Sequence, residues 1–181
     1  MEEDINIIKK YLAGNNEAIE ELVLKYQKYI YTFIYRMTND IEEAKDLTQE
    51  TFVRAIKGVR GFRMEASFKT WLYRIAMNTS LNYIRRNSHR EIELEESIVG
   101  NQTGTLSLII DKEKRDHVKR CLYELPDRQR LTVILRAYAG LNCSETASVM
   151  GCSESAVKAQ YHNAVKRLKE ISKESGYEIR P

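Results

Sequence analysis

Glycine and proline are scarce, 8 and 2 in 181 residues, too few for the many tight turns of an all-β fold. The chain has no run of about 18 or more apolar residues, so no membrane-spanning helix is expected. The opening, MEEDINIIKKYLAG, is acidic and then basic and lacks the apolar stretch of a signal peptide, so a cytoplasmic location is expected. Cysteine is limited to Cys121, Cys143 and Cys152, an odd count at spacings that argue against a disulfide framework. Cys143, Cys152 and His162 read as residues of a helical unit, not as metal ligands, and His89, His117 and His162 are scattered. There is no phosphate-cradling glycine loop, no catalytic carboxylate pair in a basic pocket and no metal-spaced His/Cys set. No enzyme activity, cofactor, metal or small-molecule substrate is therefore expected.

The residues that are plentiful favour helices. The chain is 43% hydrophobic, enough for packed cores, and rich in strong helix formers. Charge alternates in blocks. Residues 1–53 carry 11 acids against 6 bases, residues 54–90 carry 9 bases against Glu65 alone, residues 91–124 carry 8 acids against 5 bases, and residues 125–181 carry 9 bases against 6 acids. A polyanion responds to such local patches, which the net charge of +3 hides.

The apolar period predicts an all-α fold of two small helical domains joined by a flexible linker: 1–88, a linker over 89–110, a helix-turn-helix domain over 111–175, and a frayed tail over 176–181. In the first domain helices are expected over 17–37, from about residue 40 to Val59, and from Ser67 to about Arg86, with Asn39 or Asp40 and Ser67 as caps. The linker gathers Asn, Ser, Thr and Gly, with four glutamates between 91 and 96. A second helical unit starts near Leu106 or Asp111, is broken at Leu125-Pro126-Asp127, and continues as helices over 127–139, 144–150 and 154–172.

Two segments carry the chemistry. Over Ser144–Leu168, Ala147 supplies the small residue at a close helix crossing, Gly151 a left-handed turn, and Ser153 a cap. Val157, Tyr161, Ala164 (or Val165) and Leu168 form an apolar seam. This leaves Glu154, Ser155, Lys158, His162 and Lys166 outward, a face that can lie in a major groove. On the helix after Ser67, Phe68, Leu72, Ile75, Ala76, Thr79 and Tyr83 form a core stripe, while Trp71, Arg74, Asn78, Asn82 and Arg85 line another side. The loop before it adds Phe62 and Arg63. Cations alone bind duplex phosphates without regard to sequence. Cations interleaved with aromatic rings can also hold unstacked bases, and a loop beside them can house a flipped base. A DNA-binding regulator that acts alone would need the helix-turn-helix but has no use for the 62–85 face.

These residues resemble a known family. Asp46-Leu-Thr-Gln-Glu-Thr-Phe-Val-Arg54, Phe68-Lys-Thr-Trp-Leu-Tyr-Arg-Ile-Ala-Met-Asn78 and Tyr83-Ile-Arg-Arg86 resemble region 2 of extracytoplasmic-function sigma factors. Leu125-Pro-Asp-Arg-Gln-Arg130 and the helix-turn-helix resemble region 4, and Gly14–Leu22 looks like the family's usual opening. The resemblance implies that Asp46, Gln49, Glu50 and Arg54 dock on the clamp helices of core RNA polymerase. It implies that Phe62, Arg63, Ser67, Trp71, Arg74, Asn78, Asn82, Arg85 and Arg86 open and hold the −10 element of promoter DNA. Ser153, Ser155, Lys158, Gln160, His162 and Lys166 would read the −35 element. It also implies an anti-sigma partner, membrane-bound or free, that holds the protein in the cytoplasm. The chain departs from the family pattern at Asn82, often Asp, at Ser155-Ala156, usually Gly-Thr, at Ala159-Gln160, usually Ser-Arg, and at Asn163, commonly basic.

Overall fold

A computed structural model describes residues 2–87 and 116–175. The described residues hold only helices and turns. Helix α1 spans Glu2–Leu12, α2 Ala18–Thr38, α3 Ile41–Gly58 and α4 Phe68–Asn87. Residues 116–123 form the described part of α5. Helix α6 spans Asp127–Val133 and runs into a π turn, Ile134–Tyr138; α7 spans Cys143–Met150 and α8 Glu154–Glu174. The expected linker, the expected start near Leu106 or Asp111 and the tail from residue 176 lie outside the described residues.

Local chemistry fixes the boundaries. Asn39 adopts a left-handed φ of 61° and its N–H returns to the Tyr35 carbonyl, closing α2. Asp40 then accepts from the Glu43 N–H and opens α3. The Ser67 hydroxyl accepts from the Thr70 N–H at 3.1 Å and starts α4. Asn142 and Glu145 form a reciprocal capping box on α7. Gly151, at φ 63°, makes the turn into α8, whose cap is Ser153.

The N-terminal unit packs α2, α3 and α4 around Leu22, Ile30, Phe33, Ile34, Met37, Ala44, Leu72 and Ala76, all buried. Helix α1, which the sequence pattern does not announce, lies on α2. Asp4 is buried there, accepting from the Tyr26 hydroxyl at 2.7 Å and from Lys25 Nζ at 2.8 Å. Burial, and the bond to this carboxylate, push the Tyr26 phenol well above its ordinary value. A second, smaller cluster of Leu122, Leu125, Val133 and Ala164, with Tyr161 and Leu168 against it, holds α5, α6 and α8 together.

The two units share a seam. Leu131, Ile134, Leu135, Leu141 and Val149 join the same apolar cluster as the core of α2 and α4, and α7 packs on α4. Helix α4 therefore has three sides. Phe68, Leu72, Ala76 and Thr79 enter the N-terminal core. Tyr73, Met77 and Ser80, on the side that carries Lys69, are also buried, Tyr73 edge-on to Phe33 at 5.3 Å between ring centroids. The third side faces solvent.

Candidate nucleic-acid and partner interfaces

That third side is the predicted row. Arg74, Asn78, Asn82, Arg85 and Arg86 are all exposed, and so are Arg60, Arg63 and Glu65 in the segment before α4. Their spacing of three and four puts Arg74, Asn78, Asn82 and Arg85 on one strip of helix. The rings are placed differently from expectation. Phe62, expected to touch DNA, is only 9% exposed. It packs against Trp71 at 5.1 Å and edge-on to Phe68 at 6.1 Å between ring centroids. The physical reason is local: the turn Val59–Gly61 folds Phe62 back, its N–H bonding to the Val59 carbonyl at 3.1 Å. This buries the ring beneath the loop. Trp71 is half-buried, lying over Gly58, so one part of its indole is wedged in this cluster and the rest reaches the surface.

Sequence reasoning missed two residues here. Met64 has a left-handed φ of 59° and is exposed at the tip of the loop. A non-glycine residue held in that conformation costs energy and concentrates at functional loops; nothing in the residue type announces it. Lys69 is half-buried and donates to the Ala139 carbonyl of the C-terminal unit at 2.8 Å. Ser67 is committed to its cap and to a 2.8 Å bond with the Thr70 hydroxyl.

The recognition face of α8 lies where the seam predicts. Val157 and Ala164 are buried, Tyr161 and Leu168 half-buried, and Ser155, Lys158, His162 and Lys166 exposed. Gln160 is half-buried, at the edge of that face. The Ser153 hydroxyl accepts from the Ala156 N–H at 3.2 Å and pairs with Ser155 at 2.9 Å, so it organises the N-terminus of the helix. Exposed backbone N–H groups at such a terminus suit a phosphate.

The third predicted set lies on the outer side of α3. Asp46, Gln49, Glu50 and Arg54 are exposed, with Val53, 48% exposed, among them. Arg54 pairs with Glu50 one turn earlier at 2.5 Å, a bond worth little in water but one that fixes both side chains. An apolar residue ringed by acids and an amide suits a basic amphipathic helix.

Among the described residues no group of three His, Cys, Asp or Glu is placed to hold a metal, and no helix is long and apolar enough to cross a membrane. Burial raises the Cys121 thiol, which suits a packing role.

Residues 22–90 match the family Sigma-70 region 2, and residues 115–168 match Sigma-70, region 4. The RNA polymerase sigma-H factor of Pseudomonas aeruginosa is 32% identical over 174 residues, covering 90% of both chains. The chain belongs to the extracytoplasmic-function sigma factor family. RNA polymerase sigma factor YlaC of Bacillus subtilis is 32% identical over 170 residues, covering 92% of this chain and 98% of that protein. The ECF RNA polymerase sigma-E factor of Escherichia coli is 29% identical over 169 residues, covering 87% and 88%. Two solved structures share the fold. CnrH in complex with the cytosolic domain of CnrY has a TM-score of 0.73 at 21% identity, covering 93% and 96%. RpoE of Bartonella quintana, in complex with the anti-sigma factor NepR, has a TM-score of 0.69 at 24% identity, covering 86% and 96%. The relatives of this sigma factor are named as RNA polymerase sigma factors.

Proposed function

We propose that the sigma factor divides its work among three faces. Asp46, Gln49, Glu50 and Arg54 on α3 dock on the clamp helices of core RNA polymerase. Arg63, Met64, Trp71, Arg74, Asn78, Asn82, Arg85 and Arg86 hold the separated −10 strand, with Phe62 and Ser67 as the supports of that surface. Ser155, Lys158, His162 and Lys166 enter the −35 major groove from a helix terminus set by Ser153, with Gln160 at the edge. The protein works in the cytoplasm without catalysing a reaction of its own, and an anti-sigma partner, as in the complex of RpoE with NepR, restrains it. The departures on α8 weaken its phosphate anchoring: with Gln160 and Asn163 in place of cations, fewer phosphates are neutralised and affinity falls less steeply with salt.

The observation that carries this reading is the exposed strip Arg74, Asn78, Asn82 and Arg85 beside a half-buried indole. Duplex binding needs no such ring; a base taken out of its stack does. Pull-down on core polymerase and permanganate footprinting of a promoter test it. Asn78→Ala with Trp71→Ala lowers melting tenfold or more, since base stacking contributes about 1–3 kcal/mol, and spares polymerase binding by the folded protein. Asp46→Ala with Gln49→Ala does the reverse. A chain in which the first pair loses polymerase binding and keeps melting would overturn the assignment.

A further inference from the structure

A pocket of about 260 Å³ opens among α2, α4 and the π turn, and no residue of the three faces above lines it. Its charged wall is a strip of α2. Lys28, Thr32 and Arg36 follow at steps of four residues, so they stand on one side of that helix. Its apolar wall is Phe33 and Tyr73, which meet edge to face at 5.3 Å between ring centroids. Both of these rings are buried, so the wall is in place before anything binds. Tyr138, from the π turn, also lines the pocket and is exposed.

The charge in the pocket has one sign. Lys28 and Arg36 line it, and none of the described lining residues is acidic. Neither cation has an ion pair among the described residues, whereas Lys25, Arg54 and Arg130 are each held by a carboxylate. Lys28 alone would be an ordinary surface lysine. Arg36 is not ordinary. Its guanidinium is half-buried, 3.7 Å from the centroid of the Tyr138 ring, and its Nε is buried with no hydrogen-bond partner. A ring face attracts a cation but does not replace the paired acceptors of a carboxylate. This side chain has therefore lost hydration that the protein does not return. An anion at the open edge of the guanidinium would restore part of it. The Thr32 hydroxyl is already bonded to the Lys28 carbonyl at 2.8 Å and makes no demand on a ligand.

Volume decides which kind of anion fits. Pockets for drug-sized ligands run from about 300 to 1,000 Å³, so this one is small for a nucleotide. With about 30 Å³ as each water's share of the liquid, it equals roughly nine waters, near the bulk of one aromatic ring bearing a carboxylate. A small inorganic anion would leave the ring wall uncovered. We propose that the pocket is a binding site for a small aromatic carboxylate. The Arg36 guanidinium takes the carboxylate, Lys28 adds to the positive field, and the ligand's ring packs against Phe33, Tyr73 and Tyr138 in tilted or offset contact.

The test titrates 4-fluorobenzoate into the full chain and follows fluorine NMR. A saturable shift should appear with a Kd on the order of 1 mM, as suits so small a ligand. The uncharged 4-fluorobenzamide should bind at least about tenfold more weakly, having no charge for the guanidinium to pair with. Inorganic phosphate at the probe's concentration should not displace it. Backbone amide signals that move should belong to residues 28–36, 73 and 134–139. Thr32→Phe fills the pocket and retains both cations; it should abolish the shift while the helical circular dichroism is kept. Lys28→Gln, at an exposed position, should weaken binding by about threefold. Four results would each overturn the proposal: no saturation below about 20 mM, equal binding of the amide, displacement by phosphate, or undiminished binding to a folded Thr32→Phe chain. Movement of signals only along the cationic strips of α4 and α8 overturns it as well, since the acid would then be a counterion of the DNA faces.

Discussion

The exposed strip of α4 and the exposed face of α8 are both helical and cationic, yet they are made differently. The strip of α4 mixes guanidiniums with amides, abuts a half-buried indole and is flanked by a loop carrying Met64 in a left-handed conformation. The face of α8 has hydroxyls, an imidazole and lysines but no exposed aromatic residue, and it springs from a capped terminus after a glycine turn. Ring plus cation suits a base out of its stack; a capped terminus plus slender polar side chains suits an intact groove. On the proposed assignment, the contrast would let one chain treat two stretches of the same promoter as different substrates.

The contrast breaks most visibly at Phe62. As part of the ring cluster under the loop, Phe62→Ala should lower stability by about 2–4 kcal/mol, seen as a drop in Tm, while −35 duplex binding by the folded fraction stays unchanged. A loss of melting with no change in Tm would return Phe62 to the DNA surface. A smaller effect comes from pH. Burial raises the Tyr73 phenol from 10.0 to about 12. The folded value lies above the unfolded one, so this contribution is complete below about pH 10 and is lost as pH rises toward 12. Thermal melts should show a decline across that window of which Tyr73 supplies on the order of 2 kcal/mol; Tyr73→Phe should remove that share and leave those of the likewise raised Tyr26 and Tyr123 phenols, and an unchanged decline in that variant would place the titrating group elsewhere. The smallest effect sharpens the duplex side. Lys166→Ala should reduce the slope of log affinity against log salt by about 0.9 for a −35 duplex, and leave binding to a single-stranded −10 oligonucleotide unaltered. Equal losses on both probes would erase the distinction between the faces.

Much of the fold is legible in the sequence because it is local. The caps at Asp40, Ser67 and Ser153, the turn at Gly151 and the seam of Val157 and Ala164 are set by residues within one or two turns, and each stands where the pattern puts it. The strip of α4 is readable from spacing alone. The features that escape depend on distant partners. Tyr73, Met77 and Ser80 look like unremarkable positions, yet all are buried in a helix packed between α2, α3 and α7. Tyr29, at 60% exposed, and Ile41, at 39%, fit an apolar period yet remain open to solvent. Helix α1 hides its signal behind a buried carboxylate, since Asp4 breaks the apolar pattern that Ile7 and Ile8 continue. Phe62 escapes for a related reason: a ring in a basic loop can point either way, and only the fold of Val59–Gly61 decides.

The π turn at Ile134–Tyr138 holds one residue more than an ordinary helical turn would need. That surplus sets the phase between α6 and the bend at residues 139–142. It carries Tyr138 round to the Arg36 guanidinium while Arg136 reaches the Leu141 carbonyl at 2.7 Å, ahead of the capping box that starts α7. A chain one residue shorter at Ala137 would be a smoother helix and a poorer joint, with the tyrosine rotated away by about 100° and the reading head aimed in a new direction.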